Sequence, residues 1–279
     1  MSSSLAPEGD LTRPRKRPGI FSSGAMLLTA ALLAPGLAHA GTITFCVDKA
    51  NPMVSTDMAV AQAAAQQAGD VAAFVVRDSL HASSGGDDDG PRGENQKSFQ
   101  ALGRQCDLIM GFPLEDGGGN IPEGMSATQP YARTGFVAVG QGQVSGGFKA
   151  LLHEGQIGVL SMSPATTYFT IKNVSHEHVY FSNDQLFDAM LNGQVQTALI
   201  WRPWLNQELA MHPKAVHVAE LNMPYANWNV VALYPQSAQN NATVKAFNAA
   251  LASLSASHKL GGVVKPYDIP TNNVSGMEE

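Results

Sequence analysis

The chain has 279 residues, enough for one large or two small domains, and an apolar content ordinary for a globular protein. It carries 17 Lys+Arg against 23 Asp+Glu, a net charge of −6, which argues against nucleic acid and anionic membrane as partners, since both need clustered cations. No run is long enough for a membrane span in the mature protein.

Residues 1–40 read as a secretory signal. Arg13, Arg15, Lys16 and Arg17 form a basic n-region, residues 25–33 an apolar core, and Ala38-His39-Ala40 a small-x-small cleavage site. An uncleaved anchor is the alternative, but the apolar core is short for one. Without an Arg-Arg pair, general secretion is favoured over twin-arginine export. Cleavage after Ala40 removes four basic and two acidic residues and leaves 13 Lys+Arg against 21 Asp+Glu, a net charge of −8. The expected location is the periplasm.

In chain order, residues 42–47 predict a first strand and 48–55 a loop. Thr56 or Asp57 is placed to cap an Ala-rich helix ending at Gly69. Residues 71–76 predict a second strand. Residues 83–95 are rich in Gly, Asp and Pro and read as an exposed loop, and Asp87-Asp88-Asp89 lacks the Gly and Glu spacing of a calcium loop. A short helix over 98–104 leads to a strand at 107–110. The loop at 115–126 contains Gly117-Gly118-Gly119 but no following Lys-Ser/Thr, so it is not a phosphate loop. Residues 135–139 predict a strand, 146–152 a helix and 156–160 a strand. Ser163 at N-cap and Pro164 at N1 open the next helix. Asn183 is placed to cap a helix that stops at Gly193, followed by a strand at 195–200. A strand at 228–234 precedes a helix over 243–260, with an apolar stripe at Val244, Phe247, Leu251 and Leu254.

Alternating strands and helices imply parallel sheets with right-handed crossovers, and ligands in such sheets sit beyond the strand C-terminal ends. That rule selects the candidate ligand-binding residues. Asp48, Asn51 and Met53 follow the first strand, and Phe112 and Pro113 follow the third. Tyr131 and Arg133 lie where the chain crosses to its second half. Ser161, Ser163 and Thr166 surround a helix N-terminus, whose N–H donors favour an anion. Trp201, Arg202, Pro203 and Trp204 follow a strand, and tryptophans there can wall an apolar pocket. The competing readings are plain helix capping for the serines and ordinary packing for the tryptophans. His176-Glu177-His178 lacks an evident third ligand for a metal, and Ser161 and Ser163 lie outside any nucleophile elbow. No metal, cofactor or catalytic residue is assigned. Cys46 and Cys106 are either a disulfide, as suits an exported protein, or two thiols. If their strands are parallel neighbours, the stagger puts them ~10 Å apart, beyond the ~7 Å Cα limit for a bridge.

The segments around residues 107–113 and 129–139, a strand ending Gly111-Phe112-Pro113 and a crossing at Gln129-Pro130-Tyr131-Ala132-Arg133, resemble the hinge region of type II periplasmic solute-binding proteins. The resemblance implies an α/β two-lobed fold, each lobe a mostly parallel sheet flanked by helices, joined by two crossover strands. Lobe 1 is then expected at residues 42–135 plus 232–279, and lobe 2 at 136–231. A narrower resemblance is to the J-type proteins associated with quinoprotein methanol and alcohol dehydrogenases. It is carried by Cys46, Asp48, Asn51 and Pro52, by Cys106, Asp107, Gly111 and Pro113, by Trp201 and Pro203, and by Tyr267, Ile269 and Pro270.

That branch implies a non-enzymatic accessory protein that helps mature or activate a PQQ-dependent dehydrogenase, its partner being the dehydrogenase. The alternative is a receptor handing a small solute to an ABC permease. Two departures matter. Amino-acid-binding members of the superfamily place an Arg after the Gly-containing strand to hold the ligand carboxylate, and this chain has none between Gly111 and Tyr131. Arg202 stands where the J-type branch has Gly; it would close the cleft, contact an anion or serve a docking surface. An enzyme on this scaffold would need a buried acid or base in the cleft, and Asp48 is the evident candidate.

Overall fold

The computed structural model describes residues 41–78, 99–115, 119–153, 155–161, 163–174, 177–224 and 226–267. The expected export signal, the Asp87–Asp89 run, His176, Ile269 and Pro270 lie outside the described residues. The first half contains β1 (Thr42–Asp48), α1 (Val54–Ala68), β2 (Val71–Arg77), β3 (Leu108–Glu115) and β4 (Met125–Ala127). Next come β5 (Ala132–Gly140), α2 (Phe148–His153), β6 (Ile157–Leu160), α3 (Pro164–Ile171), β7 (Glu177–Tyr180), α4 (Asn183–Leu191) and β8 (Thr197–Trp201). The described residues end with α5 (Arg202–Met211), β9 (His217–Glu220), β10 (Asn227–Pro235), α6 (Ala242–Ala256), α7 (Lys259–Val264) and a 3-10 turn, Lys265–Tyr267.

The strands form two ladders. In one, β2, β1 and β3 are parallel, and β10 adds antiparallel to β3. In the other, β7, β6 and β8 are parallel, and β5 adds antiparallel to β8 and β9. Strand β5 belongs to both: residues 132–135 pair with β10, and residues 136–139 pair with β8.

Burial explains the first ladder. β1 is covered on both faces, with Ile43, Phe45, Cys46 and Val47 all buried, as a central parallel strand requires. On one face lies α1, whose Ala61, Ala64 and Ala65 are small enough to let the helix sit close to the sheet. The expected stripe on α6, Val244, Phe247, Leu251 and Leu254, is buried in the same core, and the Phe247 ring lies 5.4 Å from that of Phe45. Ser163 caps α3 and Pro164 opens it, as predicted.

Several expectations are corrected. Cys46 and Cys106 form a disulfide, with Cα atoms 5.7 Å apart instead of ~10 Å. The larger distance assumed a straight strand through Cys106, but β3 begins only at Leu108. Cys106 ends a helical turn, its N–H bonded to Leu102 O at 3.0 Å, so the chain arrives bent. Asp107 then clips to β1: its carboxylate takes the Thr44 N–H at 2.8 Å and its own N–H reaches Thr44 O at 2.8 Å. α1 starts at Val54 after Met53, so neither Thr56 nor Asp57 caps it; both lie inside the first turn. Ser182, not Asn183, caps α4. Residues 202–211, read as a segment after a strand, form α5 with Pro203 in its first turn.

Candidate functional site

The C-terminal ends of β1 and β3 face the start of α5 across a cavity of about 260 Å³. Asp48 ends β1, and Asn51 follows in the loop before α1. Gly111, Phe112 and Pro113 come from β3, and Val230 from β10. Trp201 and Pro203 come from the β8–α5 junction, and Tyr267 from the C-terminal turn. The walls are aromatic. Phe99 and Phe112 meet edge to face at 5.6 Å, and Trp201 is held between Phe136 at 5.2 Å and Trp228 at 6.4 Å. Among the described lining residues Asp48 is the only charged one; its Oδ1 accepts the Ala50 N–H at 2.8 Å.

Directly behind this wall lies a buried carboxylate. Asp57 is 1% exposed. Its Oδ1 accepts the hydroxyls of Tyr131, at 2.7 Å, and of Tyr267; its Oδ2 accepts the Asn51 amide at 2.7 Å. The Tyr131 oxygen in turn accepts the Gly111 N–H at 2.8 Å. Gly111 has φ +79°, and a Cβ there would lie 2.5 Å from Asp57 Oδ2 and 2.6 Å from Asn51 Nδ2, so only glycine fits the turn and the close approach. Burial raises the Asp57 pKa to about 7, against the opposing pull of the hydrogen bonds from Tyr267 and Tyr131. Burial, with the neighbouring Asp57, likewise pushes both tyrosines well above their ordinary value. The C-terminal turn is tied down on two further sides: Thr134 of β5 donates to Tyr267 O at 3.2 Å, and the Asn206 amide of α5 donates to Pro266 O.

Six of the fourteen candidates named from sequence line the cavity: Asp48, Asn51, Phe112, Pro113, Trp201 and Pro203. The others are placed elsewhere, Met53 buried in the core against α1 and Arg133 exposed on β5. Tyr131 is one layer behind the wall, bonded to Asp57 and Gly111. Ser163 is buried as the α3 cap, its Oγ taking the Thr166 N–H at 3.3 Å, while the Ser161 N–H bonds to Tyr180 O; the capping reading describes this helix start. Arg202 is buried and ion-paired with Glu220 of β9, away from the cavity lining. Trp204 packs edge-on against Phe187 at 5.6 Å in the core beside β8, so the packing reading describes it.

Asp57 and Tyr267 were not assigned to the site. Asp57 was traceable, because it shares with Val60, Ala61 and Ala64 the helical face that the core buries, and a lone acid on such a face needs partners. Those partners, up to 210 residues away, leave no local signal. Among the described residues no group of three His, Cys, Asp or Glu is placed to hold a metal ion.

No family model and no curated protein sequence matches the chain. Solved structures do. Substrate-binding domain 2 of Lactococcus lactis GlnP superposes with a TM-score of 0.62 at 13% identity, over 82% of this chain and 96% of that one. The ligand-binding core of GluR0 from Nostoc punctiforme, in complex with L-glutamate, gives 0.53 at 13% identity over 82% and 100%. A substrate-binding protein of an ABC uptake transporter from Streptococcus pneumoniae, with bound histidine, gives 0.53 at 16% identity over 83% and 95%. The chain has the two-lobed type II periplasmic-binding-protein fold, with β5 running from one ladder into the other. These neighbours are substrate- or ligand-binding domains and proteins.

Proposed function

We propose that the chain is a non-enzymatic, extracytoplasmic solute receptor that takes a small ligand other than a free amino acid and presents it to an ABC permease. One observation carries the reading. The cavity joins residues from both halves of the fold, Asp48 and Phe112 from one and Trp201 from the other, so a bound solute would hold the halves together. An amino-acid carboxylate would want a bidentate cation, and the described lining residues include no Lys, Arg or His. The lobe limits we propose remain 42–135 plus 232–279 and 136–231, with residues 1–40 as the export signal. Among the described residues no helix is long and apolar enough to cross a membrane.

A melting-temperature screen of the mature chain against small solutes and the free amino acids tests this. A solute at a hundredfold its Kd would stabilise the fold by ~2.7 kcal/mol. The expected result is a shift with a non-amino-acid solute and none with any amino acid; a clear amino-acid shift would overturn the ligand class.

The dehydrogenase-accessory role is a second reading. What favours it is that seven of the J-type motif residues, Asp48, Asn51, Gly111, Pro113, Trp201, Pro203 and Tyr267, scattered over the sequence, line the same cavity, though Cys46, Pro52, Cys106 and Asp107 do not. The solved neighbours lend it no support. Loss of dehydrogenase activity in a deletion strain that still takes up every nutrient tested would favour it over the transport reading.

A further inference from the structure

The hydrogen-bond directions around Asp57 are nearly determined by its neighbours. Oδ2 takes the Asn51 amide, and Oδ1 takes two hydroxyls, from Tyr131 and Tyr267. Tyr131 is locked: the Gly111 N–H occupies its oxygen and Asp57 takes its proton, inside the core. Tyr267 differs, because it also lines the cavity, as does Asn51. These donors point at the carboxylate, and the Asn51 amide also lies against the Tyr267 oxygen, so the arrangement as it stands suits the ionised acid.

A carboxyl that gains a proton must donate it. Were Tyr131 to receive it, the hydroxyl proton of Tyr131 would have to find a new acceptor within the core. Received by Tyr267, it displaces a hydroxyl proton that can turn into the cavity. The balance is simple: one proton comes from solvent to Asp57, Tyr267 keeps its own proton and rotates it about the Cζ–O bond, and no other group changes charge.

We infer that Tyr267 and Asn51 are specificity-determining residues of the cavity, and that Asp57 behind them sets their polarity: with Asp57 ionised Tyr267 offers the solute an acceptor, and with Asp57 protonated it offers a donor. The inference rests on the receptor reading for its solute. A solute with only acceptors, such as a ketone, then prefers the protonated site, and an amine or alcohol keeps its partner in the ionised one. The two forms interchange around neutral pH, since burial holds Asp57 at about 7. The titratable groups facing Asp57 among the described residues are the two tyrosines, both kept un-ionised. Of the charged groups on the surrounding elements, Arg133 on β5, Lys245 on α6, Lys259 on α7, Lys265 on the C-terminal turn and His258 before α7 are exposed, and Asp48 on β1 and Glu115 on β3 are half-buried.

The switch is read without a solute, by NMR of the mature chain carrying 13Cζ-labelled tyrosine, with Tyr131→Phe and Tyr267→Phe assigning the signals. The Tyr267 signal should titrate with a midpoint around neutrality, Tyr131 should move far less, and Asp57→Asn should abolish the titration. Equal movement of both tyrosines, or a titration that survives in Asp57→Asn, overturns the switch. The specificity role is read with cyclohexanone, which only accepts, and cyclohexanol. Cyclohexanone should bind roughly tenfold more weakly at about pH 8.5 than at about pH 5.5, cyclohexanol should change little, and Tyr267→Phe should remove the difference. Cyclohexanone binding that ignores pH, or fails at both, overturns the role. Failure of the receptor reading shows separately, as an empty solute screen beside an intact tyrosine titration.

Discussion

Burial pushes the Asp57 carboxyl from its ordinary 3.8 up to about 7, although three donors stabilise its charged form. Desolvation therefore outweighs the hydrogen bonds, and the sign for stability follows. The folded state keeps a proton that the unfolded chain has already released, so the native state binds more protons between about pH 4 and pH 7. Stability from this group is present below the unfolded pKa and is lost as pH rises through the folded one, by of order 4 kcal/mol across the window. Asp57→Asn should remove this component, so that its stability relative to wild type improves as pH rises from 4 to 7 in urea unfolding at each pH. At low pH the variant should be the weaker protein, because either orientation of its amide sets an N–H against a donor: against the Asn51 amide, whose oxygen is already used by the Met53 N–H at 2.9 Å, or against the Tyr131 hydroxyl, whose oxygen is held by the Gly111 N–H. A flat wild-type-minus-variant difference would contradict the sign. In the sequence the acid looked like a cap, because Thr56 and Asp57 stand where an Ala-rich run begins. Asn51 and its Asx turn to Met53 started the helix earlier and turned Asp57 inward.

Elements with strong periodicity were legible, and those defined by pairing were not. The α6 stripe was read because four apolar residues recur at helical spacing and all four are buried. Phe247→Ala, at the centre of that stripe, should cost roughly 3–5 kcal/mol in denaturant unfolding. Strands β4 and β9 are three and four residues long, too short for a pattern, and exist because β10 and β5 offer open edges to pair with. The sequence leaves the disulfide open for a related reason: the turn over 99–106 bends the chain and shortens the ~10 Å that straight strands imply, to 5.7 Å. With a sequence separation of 60 between its cysteines, removing the bridge by Cys46→Ala with Cys106→Ala should cost ~4 kcal/mol, and less where the reduced chain keeps residual structure. Arg202 looked functional because it departs from the Gly of the J-type pattern. Its burial against half-exposed Glu220 makes it a clamp between α5 and β9. Arg202→Gly should therefore lower stability by about 1–3 kcal/mol and leave solute affinity unchanged. A loss of affinity at unchanged stability would return Arg202 to the cavity wall.

At the scale of the whole molecule, the shared strand limits how the proposed lobes can move. The shared strand changes partners at one place: Thr134 and Gly135 face β10, and Phe136 already faces Trp201 of β8. β10 stays in the first ladder, pairing with β5 over residues 227–230 on one edge and with β3 over 228–233 on the other. Any rotation between the proposed lobes has to bend the backbone where β5 leaves one ladder for the other. Sliding the strands would instead break a row of hydrogen bonds. Gly135 marks that place on β5. A Cβ there would stand 2.2 Å from Ala226 O and 3.0 Å from Asn227 Cα, both backbone atoms that cannot swing away. Gly135→Ala should thus push β10 from β5, at a cost of about 1–3 kcal/mol. If the hinge lies here, the variant should also change how far the molecule closes. A solute that contacts both Asp48 and Trp201 should shrink the wild-type radius of gyration in X-ray scattering. The variant, at solute concentrations that saturate it, should close to a different radius. A variant that loses stability but closes to the wild-type radius would show that the bend lies elsewhere along β5.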